Sequence, residues 1–71
     1  MSFRQEYQPE DGDLCARRLK EDRFEVSVYD EKRVEWRDQR SVSLAELNKF
    51  VRSQKFLGKS GDWEYYRPGA A

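Results

Sequence analysis

The side chains best suited to covalent or acid–base chemistry are few in this sequence. Cys15 is the single cysteine, and a thiol becomes a nucleophile only when a neighbour lowers its pKa. Arg17 and Arg18 follow closely, but we predict that Cys15 is a small, partly buried apolar residue, with any redox role left open. The chain has no histidine. The usual general base, and any triad or zinc site that contains histidine, are therefore excluded.

Carboxylates are numerous but do not suggest a site. Glu10–Asp11, Glu21–Asp22 and Asp30–Glu31 are sequence neighbours beside predicted turns, where solvated acidic residues are common. Acid–base catalysis and metal binding need carboxylates that converge in a cavity, which a small domain rarely builds. We predict a non-enzymatic protein with no cofactor and no metal site.

Aromatic residues are the more informative class, since the chain has ten of them. Five are predicted to fill the core: Phe24, Trp36, Phe50, Phe56 and Trp63. Tyr29 and Tyr66 are instead predicted on an open sheet face, together with Arg23, Arg33 and Arg37. Tyr and Arg are concentrated in protein interfaces and in platforms for single-stranded nucleic acid. Glu25 and Glu35, predicted on the same face, would repel phosphates, and a plain face with cross-strand ion pairs is the alternative.

A second candidate surface is basic. The chain as a whole is neutral, with 14 basic and 14 acidic residues, but residues 39–59 carry a net charge of +4 and residues 1–13 carry −3. The basic residues are Arg40, Lys49, Arg52, Lys55 and Lys59. They suit an acidic protein groove, a phosphate backbone or the chain's own acidic arm. Cations near the end of a helix also complement its dipole without any partner.

The elements that must position these surfaces begin with a β-hairpin at about 23–38. Phe24, Val26 and Val28 alternate with polar residues, and so do Val34 and Trp36, which is typical of half-buried strands. A three-residue loop at 30–32 pairs Val28 with Val34 and places the apolar side chains on one face. This register requires Lys32 to adopt a positive φ.

A helix is predicted at about 44–56. Ser43 and Glu46 have the spacing of a capping box, and Val42 and Leu47 that of a hydrophobic staple. Gly58 is predicted as the left-handed residue that ends the helix. A last strand at about 62–67 would place Trp63 with Tyr65 on one face, and Glu64 with Tyr66 on the other.

We therefore predict an α+β fold: a small antiparallel sheet packed on one α-helix, preceded by a flexible acidic arm. The arm covers residues 1–13, a single domain covers 14–68, and 69–71 form a tail. Phe3 and Tyr7 are candidates to dock the arm on the domain, and edge pairing of the arm is an alternative. Residues 14–20 fit either a strand or a turn of helix.

These observations favour a small regulator or inhibitor that acts by binding a protein in a larger machine. The alternative is a DNA- or RNA-binding protein, although a helix-turn-helix would need a second helix. No apolar run is long enough for a membrane span, and a lone cysteine fits a reducing, cytoplasmic location. We expect a monomer or an edge-paired homodimer, because a three-stranded sheet leaves an open edge.

Overall fold

The structure is a computed structural model and describes residues 7–69. Within this range the chain forms five strands and one helix: β1 (Leu14–Lys20), β2 (Arg23–Asp30), β3 (Glu35–Val42), α1 (Leu44–Val51), β4 (Lys55–Ser60) and β5 (Trp63–Arg67). All neighbouring strands are antiparallel, in the order β3-β2-β1-β5-β4. The α+β class is confirmed. Residues 14–20 are a strand, and β4 is a strand that the sequence did not predict.

The start of α1 is as predicted. The Ser43 side chain accepts a hydrogen bond from the Glu46 amide at 3.2 Å, and the Glu46 carboxylate accepts one from the Ser43 amide at 2.9 Å. Val42 and Leu47 are both buried in the core. The capping box and the apolar pair together fix the angle at which the chain enters the helix.

The predicted end of the helix is wrong. α1 stops at Val51, whose carbonyl accepts a hydrogen bond from the Gln54 amide in the following turn. Phe56 instead lies in β4 and pairs with Tyr66 of β5. Gly58, with φ of 147°, lies opposite Tyr65 beside a bulge. The apolar residues at 56–57 continue into a strand because β5 offers them a pairing partner, which helical periodicity does not reveal.

The predicted hairpin register is also wrong. The turn spans residues 31–34, and Val28 pairs with Arg37 instead of Val34. Asp30 stabilises this longer turn, since its carboxylate accepts hydrogen bonds from the amides of Lys32 and Arg33 at 3.0 and 3.2 Å. Val34, and not Lys32, adopts a positive φ, of 54°. Asp38 has φ of 59°, and the β3 register shifts there, so side chains before and after this bulge face differently.

The two sheet faces differ in what they carry. The face under α1, here called the core face, holds the buried residues Leu14, Ala16, Val26 and Val42, which form the core with Leu47 of α1. The opposite face, here called the aromatic face, holds Tyr29, Trp36, Trp63 and Tyr65, as the pairing register requires. Trp36 and Trp63 were predicted in the core, and their placement there is wrong. Phe24 packs against the core, whereas Phe50 and Phe56 are 36% and 54% exposed.

Residues 7–13, the described part of the predicted acidic arm, are hydrogen-bonded to the sheet. The Gly12 amide donates to the Tyr29 carbonyl at 3.0 Å, and the Tyr29 amide donates to the Asp13 carbonyl at 2.8 Å. The loose packing expected of this segment is therefore not seen in residues 7–13. The rest of the arm, with Phe3, and the tail residues 70–71 lie outside the described residues.

Candidate functional site

Four aromatic rings form a continuous row across the aromatic face. The ring centroids are separated by 4.8 Å between Tyr7 and Tyr65, 5.9 Å between Tyr65 and Trp36, and 5.1 Å between Trp36 and Tyr29. The rings are tilted or edge-on, the arrangements that aromatic pairs favour. Three of the rings come from β2, β3 and β5, Tyr7 precedes β1, and all four side chains are only partly buried.

Beside this row lies an open groove of about 380 Å³. Its base contains Cys15 and Ser27, which face each other across β1 and β2 and are both buried. Its remaining lining comes from larger side chains: Glu25, Trp36, Gln39, Trp63 and Tyr65. Small residues on the central strands between large residues on β3 and β5 give this face its depth.

The charges at the groove balance each other. Arg17 and Glu25 face each other in β1 and β2 and form an ion pair, in which the Arg17 guanidinium donates to the carboxylate. The same guanidinium lies 4.8 Å from the centre of the Trp63 ring, within the range of a cation–π interaction. Glu25 was predicted on the same open face as Arg37, and its ion-pair partner is Arg17.

One end of the aromatic face is held by Asp13, which is 0% exposed. Arg67 donates to both of its carboxylate oxygens, at 2.9 and 3.0 Å, and the Tyr7 hydroxyl donates at 3.0 Å. Burial alone would raise the pKa of Asp13, but the hydrogen bonds from Arg67, the Glu10 amide and Tyr7 outweigh burial and lower that pKa. Burial, followed by the Asp13 hydrogen bond and charge, raises the pKa of Tyr7. This cluster positions Tyr7 against Tyr65.

The predicted Tyr–Arg surface is only partly assembled. Tyr29 is on the aromatic face, but Tyr66 faces the core, and its hydroxyl donates to Glu64 at 2.9 Å. Burial and this hydrogen bond raise the pKa of Tyr66 to about 12. Arg37 lies opposite Val28 and forms ion pairs with Asp30 and Glu35, both at 3.5 Å, while Arg33 lies in the turn, 3.6 Å from Asp30.

The predicted basic surface is not a single ridge. Arg40 is in β3 at one sheet edge, Lys49 and Arg52 are in and just after α1, and the other two residues are in β4 at the opposite edge. Lys55 pairs with Arg67 and Lys59 with Glu64, so their side chains point to opposite faces. All five are exposed. The +4 charge of residues 39–59 is therefore distributed around the domain.

Nucleophilic and metal chemistry find little support in the described residues. Cys15 is buried as predicted, and burial raises the pKa of its thiol to about 11. It is therefore a protonated thiol near neutral pH. Residues 7–69 contain no group of three or more His, Cys, Asp or Glu side chains placed to hold a metal ion.

Sequence reasoning missed the residues that build the groove because the facing of two strands was ambiguous. β5 has aromatic residues on both faces, since Trp63 and Tyr65 alternate with Glu64 and Tyr66. Leu14 pairs with both Val28 and Tyr66, and this pairing decides that Tyr66 is the one that faces the core. The available signal was in β1, where Leu14 and Ala16 are two apolar residues with the spacing of one strand face. The Asp13–Arg67 pair spans 54 positions and has no local signal.

Comparisons with protein-family models, with curated proteins and with solved structures find no match for this chain. Its function is therefore argued from the site alone. Among residues 7–69, no helix has the length and apolar character needed to cross a membrane.

Proposed function

We propose that this protein is a small regulator that works by binding another protein through its aromatic face. The observation that carries the proposal is the row of partly buried rings beside the groove, on the face that α1 does not cover. Trp, Tyr and Arg are the side chains that contribute most binding energy at protein interfaces. Binding without catalysis also fits a domain whose one thiol is buried and protonated.

Charge pairing favours protein over nucleic acid as the partner. Two arginines on the aromatic face have acidic partners: Arg17 pairs with Glu25, and Arg67 pairs with Asp13 and Glu10. Nucleic-acid affinity depends on basic side chains that displace counterions from phosphates. The stacked rings would suit a single strand, but a phosphate backbone would have to break these ion pairs.

Both sheet edges favour a monomer. β3 and β4 are the edge strands, and each has a register shift, at Asp38 and near Gly58 respectively. Bulges twist an edge away from a regular partner and oppose edge-to-edge pairing. The partner is accordingly a different protein, and the free, buried Cys15 fits the reducing environment of the cytoplasm.

The test is capture of partners by the tagged protein from its native host lysate, with and without nuclease, at low and high salt. We expect a near-stoichiometric protein that nuclease does not remove and that salt weakens little, because an aromatic interface depends weakly on screening. An Arg52→Ala variant, changed on the exposed basic surface, serves as control and should capture the same protein. Recovery that disappears with nuclease would instead indicate a nucleic-acid partner. So would recovery that falls steeply with salt and is also reduced in the Arg52→Ala variant.

A further inference from the structure

The groove on the aromatic face has a shape that restricts what it can hold. Its base contains the buried residues Cys15 and Ser27, and Trp36 and Trp63 contribute to its lining. Its volume of about 380 Å³ is near the lower end of the range for ligand pockets, and it is open to solvent. It therefore suits one or two side chains of an extended segment better than an enclosed small molecule.

The charge of the lining favours a neutral occupant. The Glu25 carboxylate is paired with Arg17, so neither charge is available without breaking the pair. A cationic side chain approaching Trp63 would meet the guanidinium that already lies 4.8 Å from that ring. An anionic side chain would meet Glu25. The rings nevertheless provide flat apolar surface on which an uncharged side chain can stack.

The backbone of the occupant is constrained by the sheet edges. Because β3 and β4 both carry bulges, the partner segment gains little by adding as a further strand. Among the lining residues, Trp36, Trp63 and Gln39 each carry a side-chain N–H donor. A segment that presents apolar side chains and carbonyl acceptors, and that needs no pairing of its own N–H groups, satisfies these conditions.

Proline in a polyproline II helix has these properties. The ring is apolar, the residue has no N–H to satisfy, and the carbonyls point outward along a left-handed helix that rises 3.1 Å per residue with three residues per turn. One turn is therefore roughly 9 Å long. Aromatic grooves bind such segments well because the helix is already ordered before binding.

We infer that the groove lined by Trp36, Trp63 and Tyr65 binds a proline-rich segment of the partner protein in the polyproline II conformation. The inference rests on the proposed function and adds the chemical class of the segment bound. The partner's charged residues would then lie outside the groove, and prolines would fill it.

The experiment is a titration of the full-length protein with an acetylated, amidated ten-residue oligoproline, followed by tryptophan emission. Both tryptophans of the chain line the groove, so their emission reports on it directly. A Gly-Ser peptide of the same length is the matched probe control, and tetramethylammonium is the probe for a cation. We expect saturable binding of oligoproline, with a Kd on the order of 1 mM for this generic probe, and no saturation with the other two.

Variants connect the signal to the groove. Trp36→Ala, read through the remaining Trp63, should weaken oligoproline binding at least about tenfold, roughly the loss of a 1.4 kcal/mol contact. Phe56→Ala removes an exposed ring on the other face and should leave binding unchanged. Circular dichroism and urea unfolding confirm that both variants fold. An equal effect of the two variants would overturn the assignment to this groove.

The remaining outcomes separate the inference from the proposed function. Saturation with tetramethylammonium alone, or no saturation with any probe, overturns the proline-rich assignment. If Trp36→Ala still abolishes capture of the partner protein, the aromatic face is the interface and only the class of segment is wrong. If Trp36→Ala leaves capture intact, both the proposed function of this face and the inference fail.

Discussion

The core face and the aromatic face of the sheet differ in the size and in the burial of their apolar side chains. On the core face, residues of small and medium size such as Ala16 and Val26 pack with Leu47 of α1 to near-complete burial. On the aromatic face the larger rings of Trp36 and Tyr65 are only partly buried. Burial of apolar area stabilises a fold whichever residues provide it, and we propose that the part of these rings left beside solvent serves binding.

This contrast teaches that the size of an apolar residue is a poor guide to its location in a very small domain. An eight-residue helix covers limited area, and its buried side chain is Leu47. Only residues close to the sheet centre fit beneath it. Rings on β3 and β5 have room on the other face, where they contact one another instead.

The buried ion pair at one end of the aromatic face should show the largest effect on stability. In Asp13→Asn the amide cannot hold the Arg67 guanidinium and Tyr7 hydroxyl as the carboxylate does, so we expect a loss of about 3 kcal/mol in the free energy of unfolding. That is a large part of the total for a 71-residue domain. Urea unfolding measures it, with Asp11→Asn at an exposed neighbour as control. Equal losses in the two variants would mean that the Asp13 cluster has no special structural role.

The same stabilisation should disappear on acidification. The pKa of Asp13 is lower in the folded protein than its ordinary value of 3.8. Its contribution is therefore complete above the unfolded pKa and is lost as pH falls through the folded pKa. Urea unfolding from about pH 7 downward gives the free energy of unfolding of wild type and of Asp13→Asn. The difference between these two free energies should narrow below about pH 4. A difference that stays constant to low pH contradicts this assignment.

Truncation on each face sharpens the comparison directly. Leu47→Ala removes buried apolar volume beneath α1 and should cost about 2.5 kcal/mol. Trp36→Ala removes a partly buried ring that contacts Tyr29 and Tyr65 and should cost less than Leu47→Ala, about 2 kcal/mol, despite the greater size of tryptophan. Thermal and urea unfolding provide both values. If Trp36→Ala proves more destabilising than Leu47→Ala, the core face does not contribute more to stability than the aromatic face.

The helix cap should have a smaller effect. Ser43→Ala removes the acceptor for the Glu46 amide and should destabilise the domain by about 1 kcal/mol. Ser53→Ala, an exposed serine in the turn after the helix, is the matched control and should change stability by less than about 0.5 kcal/mol. The comparison is made from urea midpoints at constant m-value.

The smallest expected change is a gain in stability. Val34 is 73% exposed and has φ of 54°, a conformation unfavourable to a β-branched residue. Val34→Asn should stabilise the domain by about 0.5 kcal/mol, because asparagine adopts this region more readily. Glu31→Asn, in the same turn but without a positive φ, should be nearly neutral. If Val34→Asn does not raise the free energy of unfolding, valine adopts the positive φ at this position at little cost.

Some parts of this fold could be predicted from sequence because local signals determine them. The capping box at Ser43 and Glu46, the alternation in β2 and the burial of Cys15 are of this kind. The rest depends on long-range pairing. The bulge at Asp38 reverses the facing of Trp36 relative to Arg40, and β4 exists only because β5 pairs with it.

The candidate site shows the same division. Tyr29 was placed correctly on an open face, since alternation within one strand was sufficient. Tyr66 was not, because its side depends on its pairing with Leu14 in β1. The groove itself draws on β1, β2, β3 and β5, and a pattern read along the chain cannot bring four strands together.

The most direct test of the aromatic face as the binding surface is partner capture by three forms of the tagged protein. Wild type is compared with Trp36→Ala and with Phe56→Ala, a ring of the opposite face, after each variant is shown to fold. We predict that the nuclease-resistant partner protein is lost with Trp36→Ala and retained with Phe56→Ala. Retention with Trp36→Ala would contradict the account, and loss with Phe56→Ala alone would place the interface on the other side of the sheet.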